Sequence, residues 1–254
     1  MAAFLLTLSF VSAGCNSPKN KRMFEGRKSS REYLDMALES KVADERRRGV
    51  VGLAKSADGQ TEWAAKVFDT LARTDTDAMV RCAALRAMSR CNEASRVETC
   101  TILLTSPVRK HEGVREAPPP VRWNAANLLL HVIRTSDVTP EDREMLITTL
   151  IERIRAESDH STRLAMLETL GYFPERRVIE ALIDALVTEN FAVAHTAELS
   201  LASLTGVTHD HDVDAWRAWL QETQDPFASA GHLPESIARE LDSRPKWDLL
   251  EWWE

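Results

Sequence analysis

The residues of this 254-residue chain that are best suited to chemistry are few and scattered. His209-Asp-His-Asp212 sets two imidazoles and two carboxylates side by side, donor types that suit zinc. Adjacent ligands in one loop do not build a closed site, and no further Cys/His spacing supports one. The segment is therefore expected to be a solvated turn, with His209 and His211 weak candidates for a metal-dependent or enzymatic alternative. Cys82, Cys91 and Cys100 are an odd number once Cys15 is set aside, which excludes a complete disulfide framework. Cys82 and Cys91 would lie about 13 Å apart along a continuous helix, too far for a bridge; a link from Cys100 to either stays open. No Gly-rich phosphate loop, Gly-x-Ser-x-Gly or His-Glu-x-x-His occurs. The expectation is a non-enzymatic protein without a cofactor.

Composition narrows the elements that could position such residues. The length suffices for a sizeable core. With only 9 glycines and 44% hydrophobic residues, and with short β-branched runs, strands have little to start from and an all-α fold is favoured. A net charge of −7 argues against nucleic acid, because a duplex binder needs a basic stripe to displace counterions.

The organising pattern is a repeat. From Arg81, small residues follow at Ala84 and Ala87 and an apolar one at Met88, the spacing of one helical face. The offsets recur from Arg46 (Gly49, Gly52, Leu53), Arg122 (Ala125, Leu128, Leu129), Arg163 (Met166, Thr169, Leu170) and Ala194 (Ala197, Ser200, Leu201). An amphipathic segment precedes each copy, around Tyr33 to Leu38, Trp63 to Leu71, Val97 to Leu104, Met145 to Ile154 and Val178 to Leu186. The pattern predicts five helical hairpins stacked in a solenoid over residues 31–206, the small residues allowing close approach. Asp77, Asp159 and Asn190 stand where each can cap a second helix. Asp77 and Asp159 are also expected to meet Arg81 and Arg163 one turn later. An anion site lined by the arginines is the alternative to this structural role.

Second helices that open with Asp, then Val-Arg and spaced alanines, resemble those of the HEAT-repeat family. The end of the pattern does too: Leu204-Thr-Gly206, an acidic loop, then Asp214-Ala-Trp-Arg-Ala-Trp-Leu220 is similar to the close of many bacterial HEAT proteins. Gly206 suits a left-handed helix stop, Asp214 an N-cap or first-turn acid, and Trp216 with Trp219 a cover for the last layer, within a cap and tail over 207–254. The resemblance implies protein binding. Some HEAT-like enzymes bind iron through repeated His-Glu pairs; here only His111-Glu112 occurs, in a loop.

Two stretches fall outside the repeat. Between Leu104 and Val121 the connection is long enough to be either an inert insertion or a contact loop, with Arg109, Lys110, His111 and Arg115 as contact residues and Pro118 to Pro120 setting the next helix start. The tail holds a short helix over 234–241 and then Trp247, Trp252 and Trp253, apolar enough to fold back or to enter a partner.

The N-terminus suggests where the protein works. Phe4 to Val11 is a short apolar run ending in Ser12-Ala-Gly-Cys15; it is too short to span a bilayer and has the form of a secretory h-region. The ending resembles a bacterial lipobox, which would make Cys15 the lipidated residue. Ser12 stands where that motif takes Leu, Val or Ile, and Val11-Ser-Ala13 would also suit an ordinary signal peptidase. Residues 16–30 are polar and largely basic, as in a tether. The expectation is a HEAT-repeat lipoprotein on the periplasmic side of a bacterial envelope, anchored to the membrane by its lipid and binding other proteins as a scaffold.

Overall fold

A computed structural model describes residues 28–91, 95–136 and 138–243. Cys15, most of the basic segment and Trp247, Trp252 and Trp253 lie outside the described residues. Helices alone make up the regular structure that is described, in the order α1 (Ser30–Glu39), α2 (Ala43–Ala54), α3 (Glu62–Thr74), α4 (Ala78–Met88), α5 (Ser95–Thr105), α6 (Pro119–Thr135), α7 (Pro140–Ala156), α8 (His160–Leu170), α9 (Arg176–Leu186), α10 (Phe191–Thr205), α11 (Val213–Glu222) and α12 (Glu235–Ser243). None is long and apolar enough to cross a membrane.

Successive helices pair as hairpins from α1/α2 to α9/α10. The second helices stack in one layer, α2 on α4 on α6 on α8 on α10, and the first helices α3, α5, α7, α9 and then α11 in another. This is an α-solenoid. The repeated offsets explain the stacking: Ala84, Ala87, Ala125, Ala197, Leu53, Met88, Leu129, Leu170 and Leu201 are all buried between layers. In the first hairpin the approach is closest. A Cβ on Gly49 would stand 2.5 Å from the Ala37 backbone nitrogen, and one on Gly52 would stand 2.2 Å from the Tyr33 ring. Only a residue without a side chain permits that crossing.

Most second helices start on a side-chain cap. Asp77 Oδ1 accepts from the Met79 and Val80 N–H groups at 2.9 and 3.1 Å, Asp159 Oδ1 from Thr162 N–H at 2.8 Å, and Asn190 Oδ1 from Val193 N–H at 3.1 Å. α6 begins instead on the prolines, Pro118 at the cap and Pro119 and Pro120 in the first turn, where a missing N–H costs nothing. Gly206 closes α10 in the left-handed region at φ 75°.

Cys82, Cys91 and Cys100 are buried and in no disulfide, so no link from Cys100 forms. Burial pushes the Cys82 thiol up to about 11 and that of Cys100 higher still. These thiols act as small apolar core groups.

Candidate protein-interaction surface

The turns between first and second helices gather along one edge of the solenoid, and the arginines of the repeat converge there. The expected partnership within each helix, Asp77 with Arg81 and Asp159 with Arg163, does not form. Asp77 is taken up by the Met79 and Val80 N–H groups and Asp159 by the N–H and hydroxyl of Thr162. Arg46 Nε and Nη2 reach both oxygens of Asp75, each at 2.8 Å, in the turn of the next repeat. Arg122 does the same one pair of repeats later, with Nε and Nη2 both 2.7 Å from Glu157. Paired fork-to-carboxylate bonds of this kind fix orientation as well as charge. Arginine is thus an inter-repeat staple.

The acids that receive these staples sit two residues before the next cap and also accept its N–H, Asp75 from Asp77 at 2.8 Å and Glu157 from Asp159 at 2.9 Å. Sequence reasoning passed over both, although the acid-x-Asp spelling of Asp75-Thr-Asp77 and Glu157-Ser-Asp159 was the available signal. Burial alone would raise the pKa of Glu157; the Arg122 hydrogen bonds, the Asp159 N–H and the Arg153 charge outweigh it and hold the carboxyl below its usual range. Asp75 is held low in the same way, by Arg46 and the Asp77 N–H against its burial.

The other two arginines have no carboxylate. Arg81, although buried, donates only to main-chain oxygens: Ala72 at 2.9 Å, Glu116 at 2.8 Å and Arg115 at 3.0 Å. Glu116 occupies the staple position but offers its carbonyl while its side chain is exposed. At Arg163 the matching residue is Thr188, whose hydroxyl accepts the Asn190 N–H at 3.2 Å and brings no charge. The Arg163 Nε is buried without a hydrogen-bond partner.

The long connection 106–118 lies on this edge and is fastened to it. Ser106 Oγ accepts from the Ala117 N–H at 2.8 Å, Thr105 Oγ1 lies 2.9 Å from His111 Nε2, and Arg115 Nε donates to the Thr74 carbonyl at 3.0 Å. Of the four expected contact residues, Arg109 and Lys110 are exposed beside Val108, His111 is engaged with Thr105, and Arg115 is exposed beside Arg81. An open cavity of about 530 Å³ is lined by Thr76, Ala78, Arg81, Arg115, Glu116 and Pro118. Val42, Met79, Val108, Val187 and Phe191 expose large apolar side chains at these same turns.

The C-terminal segment is fixed by one residue that sequence reasoning missed. Glu198, buried in the middle of α10, accepts from Thr208 Oγ1 at 2.5 Å, the His209 and His211 N–H groups at 3.1 and 3.2 Å, and Trp216 Nε1 at 2.7 Å. Those donors outweigh its burial and lower its pKa. The chain after Gly206 therefore runs back along α10, and His211 ends up beside His195 and Phe191. Trp216 is fully buried, with Trp219 edge-on at 5.5 Å. Asp212 is the N-cap of α11 and Asp214 the first-turn acid. α12 adds a small patch of its own, Ile237 on Leu199 and Ala202.

The candidate metal loop divides between two neighbours. His209 packs edge-on against Trp216 at 4.7 Å, and its Nε2 is buried without a partner. His211 Nε2 faces His195 Nδ1 at 3.4 Å. Among the described residues no group of three or more His, Cys, Asp or Glu side chains is placed to hold a metal ion.

Stacked hairpins with inter-repeat staples define an α-solenoid of the helical-repeat class. Within that class, the family model described as HEAT repeats matches residues 147–230, from inside α7 to beyond α11. No curated protein matches the chain.

Proposed function

We propose that this protein is a non-enzymatic interaction scaffold, held at a bacterial envelope by a lipid on Cys15 and presenting its solenoid to other proteins on the periplasmic side. The observation that carries the binding role is the turn edge. Along this edge Met79, Val108, Val187 and Phe191 stand exposed, and the exposed cations Arg109, Lys110 and Arg115 lie on the same edge. Exposed apolar groups rimmed by polar residues mark interaction surfaces. HEAT repeats commonly serve protein binding, which supports the reading by analogy of fold.

The tether rests on the sequence: an apolar run, Ser12-Ala-Gly-Cys15, and a basic segment in which each cation near an anionic leaflet contributes about 1 kcal/mol. Two measurements test the proposal. Labelled fatty acid should appear on the wild type and not on Cys15→Ser; label on both, or on neither, contradicts the anchor. Crosslinking in the native envelope should capture a partner protein through photoreactive groups at Met79 or Phe191, and capture only through Arg90, on the opposite edge, would reject the turn edge.

A further inference from the structure

We propose that the turn edge takes an extended acidic segment of the partner, one of its carboxylates seated at Arg81 and Arg115 and another at Arg163. The inference rests on the scaffold reading and adds the chemistry of what is bound.

Four arginines stand at one repeat position, and two have their charge answered within the chain. Arg46 and Arg122 each hold a carboxylate in paired bonds. Arg81 and Arg163 occupy the matching places between repeats two and three and between repeats four and five, and neither is hydrogen-bonded to a carboxylate. Carbonyl oxygens satisfy the hydrogen-bonding of Arg81, and the one carboxylate that acts on its charge, Asp75, is already paired with Arg46. Arg115 adds a second guanidinium beside the first, and the two line an open cavity. Burial lowers the pKa of Arg81 and the nearby Arg115 charge adds to this, against the Asp75 charge, which raises it; an incoming carboxylate would act in the same direction as Asp75. At Arg163 the replacement of an acid by Thr188 leaves a half-buried guanidinium hydrogen-bonded to no carboxylate, its Nε–H without an acceptor, and a buried donor left unsatisfied is unfavourable. A carboxylate from outside supplies what Asp75 and Glu157 supply elsewhere.

The surroundings select the kind of anion. Met79 lies in the first turn of α4, close in sequence to Arg81, and Val187 and Phe191 flank Thr188; these three are 52%, 67% and 71% exposed. A segment that alternates acidic and apolar residues matches cation and apolar neighbour together. A nucleic acid would need a continuous basic stripe, and here the unanswered cations alternate with neutralised ones in a chain of net charge −7.

The test uses the full chain and a labelled, extended peptide alternating Glu and Leu, with its Gln-for-Glu analogue and a labelled single-stranded oligonucleotide as comparisons. The acidic peptide should bind in a salt-dependent manner, with the Gln analogue and the oligonucleotide each weaker by about tenfold or more. Thr188→Glu places the missing acid inside the protein; it should weaken the acidic peptide by about fivefold while melting no lower than the wild type. Arg163→Gln and Arg115→Gln should weaken it comparably, and Arg90→Gln should change nothing. Equal binding of the Gln analogue, oligonucleotide binding as tight as the acidic peptide, or peptide affinity unaltered in all three edge variants would overturn the proposal. A partner captured in the envelope together with charge-independent peptide binding would reject the acidic segment and leave the scaffold standing.

Discussion

The seam between repeats three and four and the seam between repeats four and five are built from the same two positions and differ in one residue. At the first, Arg122 meets Glu157 through two bonds of 2.7 Å, and Arg153 joins from α7 at 3.2 Å. At the second, Thr188 stands in place of the acid and Arg163 is hydrogen-bonded to no carboxylate, whereas Arg153 at the first, although its Nε is likewise buried without a partner, still reaches Glu157 through Nη2. The same order of stacking can therefore serve closure in one place and leave a charge available in the next. What varies between repeats is the polar chemistry of the turn, while the apolar faces of the helices keep their register.

The largest effect should come from emptying the sealed seam. Glu157→Ala strands two buried guanidiniums, and removing one partner of a buried pair costs about 3–5 kcal/mol, read as a lowered denaturant midpoint. Close behind comes the C-terminal latch. Glu198→Ala removes the acceptor of four donors; with charge-assisted bonds worth about 1.5–3 kcal/mol each and partly replaced by water, a loss of about 3 kcal/mol is expected. Tryptophan emission should shift as Trp216 loses its partner, and emission unchanged from the wild type would sever the link between Glu198 and the cap.

Acid should act on the stapled seams and on the latch through their carboxylates. The folded pKa values of Asp75, Glu157 and Glu198 are depressed, so the stability they provide is present above the unfolded carboxylate range of about 4 and is lost as pH falls through the lower folded values. Melting temperature should fall with acidification below about pH 4, and Glu157→Gln should flatten that fall. The smallest effect is a gain. Thr188→Glu should stabilise the open seam by about 1 kcal/mol, and a Glu at this position that destabilised the fold would mean the seams are not equivalent.

The sequence carried the apolar half of this structure more fully than the polar half. Helical periodicity located all five hairpins, because the residues at Ala84, Ala125 and Ala197 obey a local spacing that burial alone enforces. The caps at Asp77, Asp159 and Asn190 were legible for a similar reason, since a cap acts on its own first turn. Arg81 and Arg163 were paired with the wrong neighbours: an i to i+4 rule applies to isolated helices, whereas here the next repeat presents its turn to the guanidinium. Glu198 was missed because an acid in the middle of an apolar helix face announces itself only through donors ten to eighteen positions away. The His209 loop read as a solvated turn, yet its backbone is drawn onto that carboxylate.

A pair of double-mutant cycles tests most directly the claim that these arginines belong to the seams. A coupling of about 2 kcal/mol or more is expected between Arg122 and Glu157, in neighbouring repeats, and one near zero between Asp159 and Arg163, in the same repeat. Strong coupling within the repeat and none across the seam would contradict that claim.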